Sequence, residues 1–228
     1  MSKKHKSKAK RKLNKKRFFI VLFILVFLTI FIYYLFNVRV KNIYIRGNTF
    51  LTDQKIIDMS GLKNYPKSIN NLSYNIEKKL TNNIYILSAS VKKKKLLGSI
   101  YINVKENYPL FYYRSESKTI LYDGKSIDDE FSVPTVINQI PNTVYNYFLE
   151  NMRNVDRTIL NRISEIEYLP NEVDQERFFL IMNDGNYVYL TLSKFLAINK
   201  YLNMVKSFDN KKGIFYLDSG EYFDIFDE

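Results

Sequence analysis

Residues 18 to 36, FFIVLFILVFLTIFIYYLF, run for nineteen residues without a charge, a glycine or a proline. As a helix rising ~1.5 Å per residue the run extends about 28 Å, close to the hydrocarbon thickness of a bilayer. Tyr33 and Tyr34 stand near one end, where amphipathic rings favour the membrane interface. Residues 1 to 17 hold ten Lys or Arg and no acid, while only Arg39 and Lys41 follow closely after the run. That asymmetry predicts an N-terminus in the cytoplasm and residues 42 to 228 on the far side of the membrane. A cleaved signal peptide has a shorter apolar core followed by small residues. YYLFNVRV contains no Ala, Ser or Gly, so the expectation is an uncleaved transmembrane helix over residues 18 to 37.

The net charge of +12 belongs mostly to the tail, because ten of the 35 basic residues lie in residues 1 to 17 and the rest nearly balance 23 acids. The basicity therefore says little about the outer part. The tail has Ser-Lys repeats and no aromatic for base stacking, so it reads as topogenic and lipid-attracting rather than nucleic-acid-binding. There is no cysteine, which excludes disulfides, thiolate metal sites and a thiol nucleophile.

Beyond the span, VRVKNIYIR (38 to 46) alternates with a slip at Asn42, as a half-buried strand with a bulge would. Gly47-Asn48 is a turn pair. Thr52 is placed as an N-cap, with Asp53 in the first turn, Leu51 and Ile56 as a hydrophobic staple and Gly61 as the C-cap. A second helix is predicted over 70 to 81 with Leu72, Ile76 and Leu80 on one face. Two strands follow, around Ala89 and Val91 and through Ile100, Ile102 and Val104. The order is β-α-α-β-β. From residue 108 the pattern changes. PLFYYR and KTILY read as short strands, 143 to 162 as a helix capped by Thr143, and ISEIEYL as a strand. RFFLIM-NDGN-YVYLTL reads as a hairpin, followed by a helix capped by Ser193 and the closing stretch GIFYLDSGEYFDIFDE.

The GN turn with its capped helix, Asn83-Ile84, Ala89-x-Val91 and IYINVKENYPLF together resemble the POTRA domain of the FtsQ/DivIB cell-division proteins. In that family a POTRA domain directly follows a single span and a basic tail. Gly213, Leu217, Gly220, Tyr222 and Phe223 match the closing stretch of the family's β-domain in register, although Tyr216 and Ser219 replace its usual Asp and Val. Two further departures are Leu96-Leu97 in place of a Pro and Asn107 in place of an Arg. The resemblance implies an α+β protein with a tail over 1–17, a span over 18–37, a POTRA domain over 38–107 and a mostly antiparallel β-domain with helices over 108–228. It also implies a non-enzymatic scaffold without cofactor, metal or small-molecule substrate. Its expected partners are FtsB/DivIC-like and FtsL-like membrane division proteins, with control of septal peptidoglycan synthesis as the outcome.

The lone His5 lies in the tail, so a Ser-His-Asp triad and an ordinary zinc site are unavailable outside. Glu106, Asp123, Asp128, Asp129 and Asp184 are the remaining candidates for hydrolysis. Asp123 and Asp184 each precede a Gly, and turn formation accounts for both. The alternatives are a membrane-anchored, carboxylate-based wall hydrolase and a POTRA-type transport or assembly factor. Lys92 to Lys95 read as a charged hairpin tip. In the closing stretch, Phe215, Leu217, Gly220, Tyr222, Phe223 and Phe226 stand among acids with no base after Lys212. These six are the expected partner-binding residues. Composition alone favours core closure by the aromatics, and the resemblance favours an edge strand that accepts a partner.

Overall fold

The computed structural model describes residues 14–94, 98–220 and 222–226. His5 and most of the basic tail, Lys95, Leu96-Leu97, Glu221, Asp227 and Glu228 lie outside the described residues. Helix α1 (Lys15–Asn37) starts three residues before the predicted span, with the Asn14 side chain accepting from the Arg17 N–H. It is long and apolar enough to cross a membrane, and no residue of its most apolar stretch is buried against protein. The chain divides into two compact units, residues 1–106 and 107–228.

In the first unit the elements after α1 are β1 (Asn42–Arg46), α2 (Asp53–Ser60), a 3-10 turn (Ser68–Asn70), α3 (Ser73–Thr81), β2 (Ile86–Lys94) and β3 (Ser99–Glu106). The sheet order is β1-β3-β2, with β1 parallel and β2 antiparallel to β3. The α2 punctuation is as the sequence dictates. Thr52 accepts from the Lys55 N–H, and Gly61 ends the helix at φ 75°. Gly47 has φ +86°, and a Cβ there would sit 2.1 Å from the Val104 carbonyl oxygen, so no other residue fits. Glu106 locks the same turn. Its buried carboxylate accepts the N–H groups of Thr49, Phe50 and Leu51 at 2.7–2.8 Å. The core is centred on Ile56, Leu62, Ile76, Leu80, Ile100 and Ile102, each at most 1% exposed.

Three expectations for this unit are corrected. Val38 and Val40 are buried but outside β1: Val40 donates to Pro66 and Val38 accepts from Ser68, which pulls residues 38–40 away from β3 and toward the 3-10 turn. Leu72 is the N-cap residue of α3 and is 54% exposed, so the helix presents only Ile76 and Leu80 to the core. Lys92, Lys93 and Lys94 belong to β2 itself, paired with Tyr101, Ile100 and Ser99.

The second unit contains β4 (Pro109–Tyr113), β5 (Lys118–Leu121), β6 (Ser126–Ile127), β7 (Thr135–Val136), α4 (Asn142–Arg153), α5 (Arg157–Leu160), β8 (Ile163–Tyr168), β9 (Arg177–Met182), β10 (Tyr187–Thr191), a 3-10 stretch (Leu192–Lys200) running into α6 (Tyr201–Ser207), β11 (Gly213–Tyr216) and β12 (Tyr222–Ile225). They form one nine-stranded sheet in the order β12-β11-β10-β9-β8-β7-β4-β5-β6. Only the β4–β7, β7–β8 and β10–β11 pairs are parallel. Along β9 and β10, Phe178, Leu180, Met182, Val188 and Leu190 face a core shared with α4. There Phe148 stacks on Phe178 at 4.9 Å, and Phe195 meets both rings edge-on.

Both predicted helices here are revised. Residues 143 to 162 are two helices, and Thr143 lies inside the first turn with Pro141 at the N-cap. The Asn199 side chain donates to the Asn154 carbonyl and accepts the Asp156 N–H, stabilising the break between α4 and α5. Ser193 caps nothing. Leu192, Phe195, Ile198 and Tyr201 are each at most 1% exposed and recur every three residues, which matches three residues per turn and draws the segment into a 3-10 helix.

Candidate partner-binding edge

The closing stretch is a hairpin rather than one strand. β11 lies parallel to β10, and β12 folds back antiparallel on it, pairing Phe215 with Phe223 and Tyr216 with Tyr222. Asn186 fixes the start of β11: its buried side chain accepts the Gly213 N–H at 2.9 Å and donates to the Tyr201 hydroxyl. Gly213 itself admits no side chain, because a Cβ would lie 2.0 Å from the Asp224 carbonyl oxygen.

This geometry splits the six expected residues. Phe215 and Leu217 are each 2% exposed and belong to the core. Phe223 is half-buried, stacked on Phe215 at 4.1 Å and tilted against Phe208 at 4.6 Å. Gly220 sits in the connecting bend. Tyr222 and Phe226 are open to solvent, as is Ile225, which sequence reasoning passed over. Backbone direction follows from one bond. The Phe226 N–H donates to the Lys212 carbonyl, so alternation turns Tyr222 and Asp224 toward β11 and points the backbone groups of Phe223 and Ile225 off the sheet. Among the described residues β12 is therefore an open edge four residues long.

A row of rings leads to that edge. Phe179, Tyr189, Tyr216 and Tyr222 are cross-strand neighbours over four strands, with centroids 4.8, 5.2 and 4.4 Å apart in turn. The strict alternation of RFFLIM and YVYLT was its sequence signal. Arg177 lies over the Tyr189 ring at 3.8 Å and pairs with Asp218 at 2.7 Å. Burial alone pushes the Asp218 carboxyl up, but the Arg177 guanidinium and the Ser219 N–H outweigh it and hold the group below the usual carboxylate range.

The candidate carboxylate residues are engaged where they stand. Asp123 accepts the Lys125 N–H in a turn and pairs with its ammonium at 3.0 Å. Asp184 accepts the Tyr201 hydroxyl at 2.7 Å and the Asn186 N–H in the β9–β10 turn. Asp128 is exposed beside Lys118, the Asp129 carbonyl accepts the Thr119 hydroxyl, and Glu106 serves the Gly47 turn of the other unit.

An apolar helix long enough to cross a membrane thus precedes two helices on a three-stranded sheet and then a β-rich unit. Residues 38–107 match the family model described as POTRA domain, FtsQ-type. Curated relatives align over nearly the whole chain. Cell division protein DivIB of Geobacillus kaustophilus is 26% identical, covering 96% of this chain and 88% of the relative. That of Bacillus subtilis is 25% identical over 98% and 88%, and that of Listeria monocytogenes 26% over 94% and 83%. A solved structure, the major extracytoplasmic domain of the trans isomer of DivIB from Geobacillus stearothermophilus, aligns at 19% identity and a TM-score of 0.38, over 46% of this chain and 96% of that one. Residues 38–107 thus match a POTRA domain of the FtsQ type, and the chain over nearly its whole length is similar to the DivIB cell-division proteins.

Proposed function

We propose that this protein is a membrane-anchored scaffold of the division machinery that receives its partners by strand addition at β12. Residues 1–17 lie in the cytoplasm, 18–37 span the membrane, and the POTRA domain (38–107) and β-domain (108–228) act outside at the septum. The partners are FtsB/DivIC-like and FtsL-like membrane proteins, and holding them together helps control septal peptidoglycan synthesis. No step of this role needs catalysis. One observation carries the reading: β12 ends a nine-stranded sheet with its outer backbone groups off the sheet and Tyr222, Ile225 and Phe226 exposed around them. A partner strand would gain main-chain hydrogen bonds there and bury these side chains, and the exposed Asp224 favours a basic segment.

Ile225→Pro tests this cleanly. It removes an N–H that points off the sheet and leaves the β11 ladder its donors, so the fold should be unchanged by circular dichroism. Recovery of the FtsB/DivIC-like partner with the full chain from membranes should fall about tenfold or more, the equivalent of ~1.4 kcal/mol. Undiminished recovery with a folded variant rejects strand addition.

A further inference from the structure

In the first unit the end of α1 is fastened to the body that follows it. Lys67 donates from its ammonium to the Asn37 side chain at 2.9 Å, the Ser68 N–H donates to the Val38 carbonyl at 2.8 Å, and the Val40 N–H to the Pro66 carbonyl at 3.0 Å. These bonds hold the 3-10 turn Ser68–Asn70 beside the last turn of α1. Between them lies a groove of about 160 Å³, lined by Leu35 and Phe36 of the helix and by Ser68, Ile69, Leu72 and Lys93 of the domain. Leu35 is partly covered there, unlike the α1 residues before it. Ile69 is 38% and Leu72 54% exposed, although both adjoin the core helix α3. The Lys93 ammonium donates to the Ser68 and Asn71 carbonyls, which brings a positive charge to the groove, and no acid lines it.

We infer that this groove is a seat for one anionic phospholipid of the outer leaflet, with its acyl chain along Leu35, Phe36, Ile69 and Leu72 and its phosphate toward Lys93 and Lys67. The inference rests on α1 spanning the bilayer as proposed above. Given that span, the groove opens at the depth where acyl chains meet headgroups, because its walls include the last turn of α1. An exposed Leu and Ile are unfavourable against water and favourable against lipid. Cations at that level attract anionic headgroups. The seat would also hold the POTRA domain at a fixed height over the membrane.

The chain has no cysteine, so single labelling sites can be introduced in the full-length protein without background. Leu28→Cys, Leu72→Cys and Gln54→Cys, each carrying bimane, would be reconstituted in vesicles of phosphatidylcholine and phosphatidylglycerol, with folding checked by circular dichroism. Gln54 is the reference, because it lies in the first turn of α2, next to Asp53, whose carboxylate accepts from Asn48 in the turn at the end of β1 away from α1. Lipids brominated along the acyl chain should quench Leu28→Cys strongly, Leu72→Cys at least half as much, and Gln54→Cys little. Bromine carried on phosphatidylglycerol should quench Leu72→Cys about twofold more than the same bromine on phosphatidylcholine. Quenching at Leu72→Cys no greater than at Gln54→Cys, with Leu28→Cys quenched, overturns the seat and leaves the anchor standing. Equal quenching by the two lipids overturns the anionic site. An unquenched Leu28→Cys overturns the anchor itself.

Discussion

Two strands at sheet edges, β2 in the first unit and β12 in the second, expose opposite chemistry. β2 is nine residues long and carries Lys92, Lys93 and Lys94, and α3 packs along it. The Glu77 carboxylate on α3 accepts the Val91 N–H at 2.7 Å, so a backbone donor is already satisfied. β12 is four residues long, and the described stretch from Gly213 onward contains no Lys or Arg. Its neighbours are rings, and among the described residues no acceptor is recorded for the Phe223 or Ile225 N–H. Lysines and covering helices are common guards against unwanted strand pairing. A guarded edge in one unit and an unguarded aromatic edge in the other are the contrast on which the proposed partner site at β12 rests.

The sharpest cut through that contrast separates the aromatics that build the hairpin from those that decorate it. Phe215→Ala should cost about 3–5 kcal/mol, because a fully buried ring stacked on Phe223 would leave a cavity. Chemical denaturation of the full chain in detergent measures it. A loss no larger than that of an exposed residue would move Phe215 from the core back to the interface. For the same reason a lysine at Phe223 reports on folding as much as on binding, since that ring also packs on Phe208.

The guard on β2 can be removed next. Glu77→Ala leaves the Val91 N–H without its acceptor at a position 6% exposed, a loss of about 1–3 kcal/mol. Combined with Lys92→Thr and Lys94→Thr, it should turn β2 into an adhesive edge, visible as concentration-dependent oligomers by light scattering. Strictly monodisperse protein would show that this edge needs no guarding.

Helix α2 was readable because all its signals are local: a Thr cap, an acid in the first turn and a Gly stop within ten residues. The RFFLIM and YVYLT strands were readable because their period is strict. What escaped depends on distant partners. The α4–α5 break is held by Asn199, more than forty residues away, and nothing in 143 to 162 announces it. The segment after the hairpin was read as a helix capped by Ser193, though the three-residue spacing from Leu192 to Tyr201 fits the tighter helix better. In the closing stretch the residue types were visible but the fold-back at Ser219-Gly220 was not. Six residues were therefore grouped that the hairpin divides between core, bend and edge.

The Arg177–Asp218 pair ties the base of the hairpin to β9, and it makes the edge sensitive to acid. Asp218 has its carboxyl depressed in the folded state, so the stabilisation is present above the ordinary carboxylate range and is lost as pH falls through the lowered folded value. Asp218→Asn should cost about 1–2 kcal/mol at pH 7, with the difference from the parent shrinking below about pH 4 as the parent's carboxylate is protonated. A difference that stays constant down to pH 2 would assign the loss to packing.

The smallest effect on stability should come from Tyr222→Ser, and it tests the comparison hardest. Tyr222 is 53% exposed and rests on Tyr216 with ring centroids 4.4 Å apart, at the outer end of the four-ring row. Removing the ring forfeits one surface stacking contact, about 0.5–1 kcal/mol, and leaves the Phe215–Phe223–Phe208 cluster in place. If the open edge is the partner site, the same change strips a large aromatic from it, and partner affinity should drop about thirtyfold, or ~2 kcal/mol. A matched change at the guarded sheet, Tyr44→Ser, removes the comparable stack on Tyr101 at 4.8 Å and should leave partner binding unaltered. Quantitative co-purification with the FtsB/DivIC-like partner, on variants first shown to have the parent's unfolding midpoint within a few degrees, measures both. Equal losses from Tyr222→Ser and Tyr44→Ser would mean that the contrast between the two edges does not decide where the partner binds.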